Sequence, residues 1–251
     1  MKPLIHVHNL TFAYESEPVL EEVDLKIFEH DFIGVIGPNG GGKTTLLKVI
    51  LGLLTPQSGK IYFREDLPRN KRPIGYLPQV KHIDRKFPIT VLDVVRSGSL
   101  MRPIPFKSAR SERNAASELL EEMGIGGFER KAIGDLSGGQ MQRAFLCRAL
   151  ISDPKVLILD EPDTFVDNHF EWELYGKLKV LNERMAILLV SHDVGTISTY
   201  IKTIACVNRR LHYHPSSLIT TDDLKVYNCP LQLVSHGDVP HTILTKHDHH
   251  A

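Results

Sequence analysis

The chain has 251 residues, 30 basic and 30 acidic side chains, and a formal net charge of zero. That length holds one large α/β domain with an inserted lobe, or two small domains, and the neutral balance argues against a nucleic-acid binder relying on a broad basic surface while leaving room for a local patch. Cys147, Cys206 and Cys229 form no C-x-x-C pair, so they offer neither a zinc-finger nor a redox motif and suit a reduced compartment.

The N-terminus lacks the apolar core of a signal peptide, and no stretch approaches the roughly 20 apolar residues that span a bilayer. The expectation is a soluble chain with at most a peripheral membrane role. Residues 4–12 alternate apolar and polar, as a half-buried strand does, and residues 19–28 read similarly. Residues 32–36 are an apolar run leading into a glycine loop, and residues 44–54 then have helical spacing that stops at Pro56. Further strands are expected at 61–63 and 74–77. From 90 to 124 two amphipathic helical patterns, 90–97 and 108–123, flank a break at Pro103 and Pro105, and read as a helical lobe inserted into the α/β core. Next come a helix at 138–152, a strand at 156–160, a helix at 170–182, a strand at 186–190 and a helix beginning at 194–200. Residues 204–208 and 209–214 read as a closing hairpin. Beyond Ser216 periodicity fades into a His-containing tail.

Gly37-Pro38-Asn39-Gly40-Gly41-Gly42-Lys43-Thr44 is G-x-x-x-x-G-K-[ST], a loop that cradles nucleotide phosphates. The glycines let the backbone bend tightly around the β- and γ-phosphates. Lys43 supplies a point charge to those oxygens, and the Thr44 hydroxyl is placed to coordinate Mg²⁺. An ordinary glycine-rich turn is the competing reading, and the strand before and helix after the loop weigh against it. Asp160 closes the apolar run from Val156, the Walker B position that holds Mg²⁺ through water. Glu161 follows as the candidate general base for polarising the attacking water. A plain acidic turn through Pro162 is the alternative there, and the phosphate loop weighs against it. Ser137, Gly138 and Gly139 make sense as a second phosphate clamp, with a hydroxyl donor, close backbone approach and a helix N-terminus. The same residues suit a plain N-cap, and the two roles are compatible.

Leu136-Ser137-Gly138-Gly139-Gln140, placed after the phosphate loop and just before the Walker B strand, resembles the signature of the ATP-binding cassette (ABC) family, whose subunits hydrolyse ATP to drive transport. The match runs from about residue 4 to residue 215 with every motif in order. The resemblance implies an α/β P-loop NTPase fold with an N-terminal antiparallel β subdomain and an inserted helical lobe. It places an ATPase domain at 1–218, with its core at 1–89 and 145–218 and its lobe at about 90–144, ahead of a tail at 219–251. ATP and Mg²⁺ are the implied cofactors. By the same resemblance Thr45 contacts the α-phosphate, Tyr14 stacks on adenine, Gln79 senses the metal and attacking water, and His192 is the switch histidine at the γ-phosphate. The Ser137–Gln140 clamp acts on ATP held by the other subunit, so a homodimer is implied, with Asp167 at its seam. Phe165 stands where the family usually has Gly or Ala, which bears on interface coupling rather than on ATP binding.

Within residues 74–98, Asp84, the run Phe87-Pro88-Ile89-Thr90-Val91 and Asp93-Val94-Val95 look like the zinc/manganese/iron importer branch. The implied partners are an integral membrane permease, met near residues 79–95, and indirectly an extracytoplasmic metal-binding protein. No nucleic-acid partner is implied, and the implied location is the cytoplasmic face of the cell membrane. Iron-siderophore and cobalamin importers are the nearest alternative, and a soluble ABC ATPase of iron–sulfur assembly remains a rival. DNA-repair types need long coiled coils for which the motif spacing leaves no room, and translation types usually carry two cassettes. A non-catalytic, His-rich regulator would not require Lys43, Asp160, Glu161 and His192 together. In the tail, His236, His241, His247, His249 and His250 with Asp248 could chelate Zn²⁺ or related ions, and a merely solvated end is the plain alternative.

Overall fold

The computed structural model describes residues 1–67, 74–79, 84–85, 87–99, 109–162, 168–191, 194–216, 231–235 and 240–244. The chain divides into two compact units, residues 1–64 with 179–251, and residues 65–178.

In the first unit, β1 (Ile5–Tyr14) pairs antiparallel with β2 (Glu17–Ile27) on one side and β4 (Ser58–Phe63) on the other. Strict alternation would bury Ile5, Val7 and then Asn9. Instead the register shifts between Val7 and Leu10, Asn9 takes φ 46°, and Leu10 and Phe12 turn inward. A bulge thus re-aims the second half of the strand and keeps both halves amphipathic. A second sheet runs β7 (Ala186–Val190), β3 (Phe32–Ile36), β8 (Thr203–Asn208) and β9 (Arg210–His214), with β3 parallel to both its neighbours and β9 antiparallel. Every residue of β3 and β7 is buried, which is why these strands read as continuous apolar runs. Truncating one of them, as in Leu188→Ala, costs about 2–5 kcal/mol.

Helix α1 (Lys43–Ile50) ends four residues before the expected stop at Leu54. Gly52 explains this: at φ 65° it reverses the chain, its N–H donates to Val49 O, and Leu53 N–H donates to Lys48 O. That paired bonding is a Schellman end, which glycine reaches without the steric cost a side chain would carry. α6 (Val194–Ile197) is a single turn. The tail holds a hairpin that its sequence does not announce, with β10 (Leu231–Ser235) antiparallel to β11 (Pro240–Leu244). Each strand is only five residues long, too brief for alternation to stand out.

In the second unit, β5 (Ile74–Leu77) lies parallel to β6 (Val156–Asp160). The helices are α2 (Val91–Ser97), α3 (Ala109–Glu122), α4 (Gly138–Leu150) and α5 (Asn168–Leu181). α2 begins at Thr90, whose hydroxyl accepts from Asp93 N–H, and packs against α3 and α4 over buried Val91, Val94, Val95, Leu120 and Ala144. Cys147 is buried in the same cluster. Burial, with the Glu122 charge adding to it, pushes its thiol up to about 12, so it is inert at neutral pH.

Candidate active site

The phosphate loop in the first unit is built by close backbone packing. Gly37 has φ 146°, and a Cβ there would lie 2.0 Å from Val207 O at the end of β8. Only glycine fits, because β8 supports the loop from behind. Arg209 N–H donates to Gly41 O at 3.1 Å and fastens the β8–β9 turn to the same loop. Lys43 is buried, and its ammonium donates to Gly37 O at 2.8 Å and Pro38 O at 3.0 Å. These bonds hold the charge over the curve of the loop while Asn39 and Gly40 stay exposed. Gly42, having no side chain, caps α1 without a side-chain hydrogen bond to the first-turn N–H groups. Thr44 is exposed at that turn and Thr45 is buried. Tyr14 is also exposed, its ring held edge-on to Phe12 at 4.9 Å, which leaves a face for stacking.

The second unit carries the carboxylates. Asp160 is buried at the end of β6, and Tyr76 on the neighbouring strand hydrogen-bonds it. Burial, together with the Asp160 charge and that bond, pushes the Tyr76 hydroxyl up to about 12, so it remains a donor. Glu161 has φ 47°, an uncommon conformation for a residue with a side chain, and its Oε2 accepts a hydrogen bond from Gln79 Nε2. Strain of this kind is held only where surrounding bonds over-determine it, and it concentrates at functional sites. With Nε2 on Glu161, the Gln79 amide oxygen is the atom left for a cation.

Ser137 opens α4 with a complete capping box. Its hydroxyl accepts from Gln140 N–H at 3.3 Å, and Gln140 Oε1 accepts from Ser137 N–H at 3.1 Å. The Ser137 side chain is nonetheless exposed, with Gly138 and Gly139 half-buried behind it. The stretch before α2 is fastened to residues 129–134: Ile133 N–H donates to Ile89 O, Val91 N–H to Lys131 O, and Leu92 N–H to Glu129 O. Phe87, 58% exposed, stands on that anchored segment beside exposed Asp84 and Arg85.

The structure therefore joins Lys43 to its own loop, Gln79 to Glu161, and Ser137 to Gln140. Phe165, Asp167, His192 and the tail histidines 236, 247, 249 and 250 lie outside the described residues. Two contributors are not evident from motif matching. Tyr76, three residues before Gln79, braces Asp160. Buried Gln142 donates from Nε2 to Pro162 O, tying α4 to the turn after Glu161. The available signal was a glutamine on an otherwise apolar helix face.

A family model described as "ABC transporter" matches residues 20–164. The zinc transport system ATP-binding protein TroB of Treponema pallidum is 40% identical over 82% of this chain and 79% of its own. The zinc import ATP-binding protein ZnuC of Saccharophagus degradans is 37% identical over 90% of this chain and 89% of its own. Among solved structures, an ATP-binding cassette captured as a dimer in a post-hydrolysis state with ADP and Pi superposes with a TM-score of 0.74 at 25% identity, over 86% of this chain and all of that one. No helix among the described residues is long and apolar enough to cross a membrane.

Proposed function

This chain belongs to the ABC transporter family and is an ABC-type ATPase, and on that premise we propose that it powers uptake of a divalent metal ion, zinc, manganese or iron, through a membrane permease. The observation that carries the metal assignment is the 37–40% identity, over four-fifths or more of the chain, to ATP-binding proteins named for zinc transport. We assign one ATPase domain to residues 1–218, with a helical lobe at about 90–144 and a tail at 219–251.

In this reading the α1 N-terminus and the backbone from Gly37 to Gly42 bind the phosphates, Lys43 neutralises β- and γ-oxygens, Thr45 meets the α-phosphate and Tyr14 stacks on adenine. Thr44, the Gln79 amide oxygen and, through water, Asp160 are the groups that would hold Mg²⁺, whose preference is for oxygen donors, and the ion would supply charge neutralisation to the phosphates. Tyr76 holds the Asp160 carboxylate in place for that duty. Glu161 accepts the proton of the attacking water as its oxygen joins the γ-phosphorus and the bond to the ADP oxygen breaks, yielding ADP and phosphate. Gln79 orients Glu161, and His192 contacts the γ-phosphate. Ser137, Gly138, Gly139 and Gln140 of a second copy close the site, with Asp167 at the seam, so the working unit is a homodimer. The dimeric solved cassette supports that assembly.

The permease contact is assigned to residues 79–95. Exposed Phe87, next to exposed Asp84 and Arg85 and just ahead of Ile89, Val91 and Leu92, which are bonded through the backbone to residues 129–133, offers an apolar anchor beside a firm base. The chain then sits on the cytoplasmic face of the membrane and serves an extracytoplasmic metal-binding protein indirectly. Ion-by-ion uptake by cells lacking the gene, complemented by the parent chain or by Glu161→Gln, tests the proposal. Uptake of one of the three metals should fail and return only with the parent chain. Unchanged uptake of all three would remove the metal assignment and leave the ATPase assignment standing.

A further inference from the structure

The exposed face of β1 carries a cluster that the nucleotide chemistry does not use. His6 and His8 are two residues apart on one strand and so share a face, and the β1–β2 register, with His6 opposite Lys26 and Val7 opposite Leu25, runs on to set Asp24 of β2 alongside His8. His8 Nδ1 lies 2.9 Å from Asp24 Oδ1 and His6 Nε2 lies 3.9 Å from the same oxygen. One ligand atom from each of the three residues falls within 4.8 Å of the others. A tetrahedral zinc ion with ligands at about 2.0–2.2 Å holds its donor atoms about 3.3 Å apart, so the observed spread brackets the required spacing. Burial pushes the Asp24 carboxyl up, but the hydrogen bond from His8, the Asn9 backbone and the charges of His8 and His6 together hold it below its usual range.

We infer that His6, His8 and Asp24 form a binding site for a divalent transition cation of the Zn²⁺ class, on the outer face of the antiparallel sheet. Two imidazoles and a carboxylate suit zinc and its neighbours rather than Mg²⁺ or Ca²⁺, which take all-oxygen shells. Water completes the coordination, because His8 and Asp24 are exposed and no fourth side-chain ligand joins them among the described residues. Lys26 stands opposite His6, and Lys60 opposite His8, on the flanking strands. Both lysines are exposed and can swing outward, but their charge weakens the site. It therefore fills when free cation rises rather than serving as a permanent structural metal. A bound ion bridges β1 and β2 and stabilises the native chain by mass action. The inference is independent of the transport proposal.

The test is calorimetric titration of Zn²⁺ into nucleotide-free full-length protein, compared with full-length His6→Ala/His8→Ala and Asp24→Asn variants, with thermal melts in parallel. Each variant should lose one equivalent of zinc, or bind it at least about tenfold more weakly. Each should also lose the zinc-dependent rise in Tm while its circular dichroism stays unchanged. A fourth chain, with His241, His247, His249 and His250 changed to Ala, should keep this binding event, which separates it from any site in the tail. Asp24→Asn preserves shape, so it reports even if the double variant folds poorly. Parental stoichiometry, affinity and Tm response in both sheet variants would overturn the site, as would a parent chain that binds no zinc.

Discussion

Helices α1 and α4 both start at glycine-rich turns, and they start differently. α1 begins at Gly42, with φ 102° and no side chain to cap the first turn. α4 begins at Ser137, which exchanges two hydrogen bonds with Gln140 and satisfies part of its own first turn. The first arrangement leaves backbone N–H groups whose acceptor must come from elsewhere, which is how a helix end becomes an anion site. The second is stable by itself, so a phosphate bound there has to share Ser137 with the fold. Damage at α1 should therefore be felt first in nucleotide affinity, and damage at α4 in both stability and turnover.

The largest expected effect belongs to neither helix start. Glu161→Gln keeps the shape of the strained turn and removes the base, so kcat should fall by about 10²–10⁴ while ATP binding persists. Phosphate release alongside nucleotide-binding titration measures both, and near-normal turnover would remove the base from Glu161. Next comes Lys43→Ala at the α1 end. Losing a charge-assisted contact of about 1.5–3 kcal/mol should weaken ATP binding roughly tenfold or more, with little change in melting temperature. If the melt collapsed instead, the lysine would be a structural pin for Gly37 and Pro38 rather than a phosphate ligand.

At α4 a pair of substitutions sharpens the contrast. Ser137→Ala removes the cap, worth about 1 kcal/mol, and should lower Tm by about 2–4 °C. Ser137→Asp retains a capping oxygen but sets a negative charge against phosphate, so Tm should hold while ATP hydrolysis falls by about tenfold. Equal activity in the Asp variant and the parent would confine Ser137 to capping. The smallest effect is expected for Tyr76→Phe, which removes one hydrogen bond to Asp160, worth about 0.5–1.5 kcal/mol. The Mg²⁺ concentration for half-maximal hydrolysis should rise a few-fold. Because the Tyr76 hydroxyl is pushed up to about 12, it stays protonated throughout the assay range, and the shift should be the same across about pH 6–9.

Much of the architecture was legible because it is local. β3, β6 and β7 begin and end where their expected runs do, since strands buried on both faces leave a continuous hydrophobic signature bounded by turn residues. The glycine loop leading into α1, Ser137 at its helix start and Asp160 at the end of β6 were legible for the same reason: each is a short string whose local structure depends on neighbours in sequence. The early end of α1 and the five-residue strands of the tail were harder. A Schellman glycine looks like any glycine inside a helical pattern, and so short an alternation is indistinguishable from chance.

The sequence by itself determined which groups are available: a glycine loop with its lysine, a buried aspartate followed by a glutamate, a serine cap before two glycines, and two histidines spaced for one strand face. Tertiary structure alone decided which of these meet. Val207 lies behind Gly37, Tyr76 reaches Asp160, Gln79 holds Glu161, and the β1–β2 register sets Asp24 beside His8 and His6. These pairings depend on strand order and register, which are set by how whole buried faces pack together, and no residue string encodes them locally.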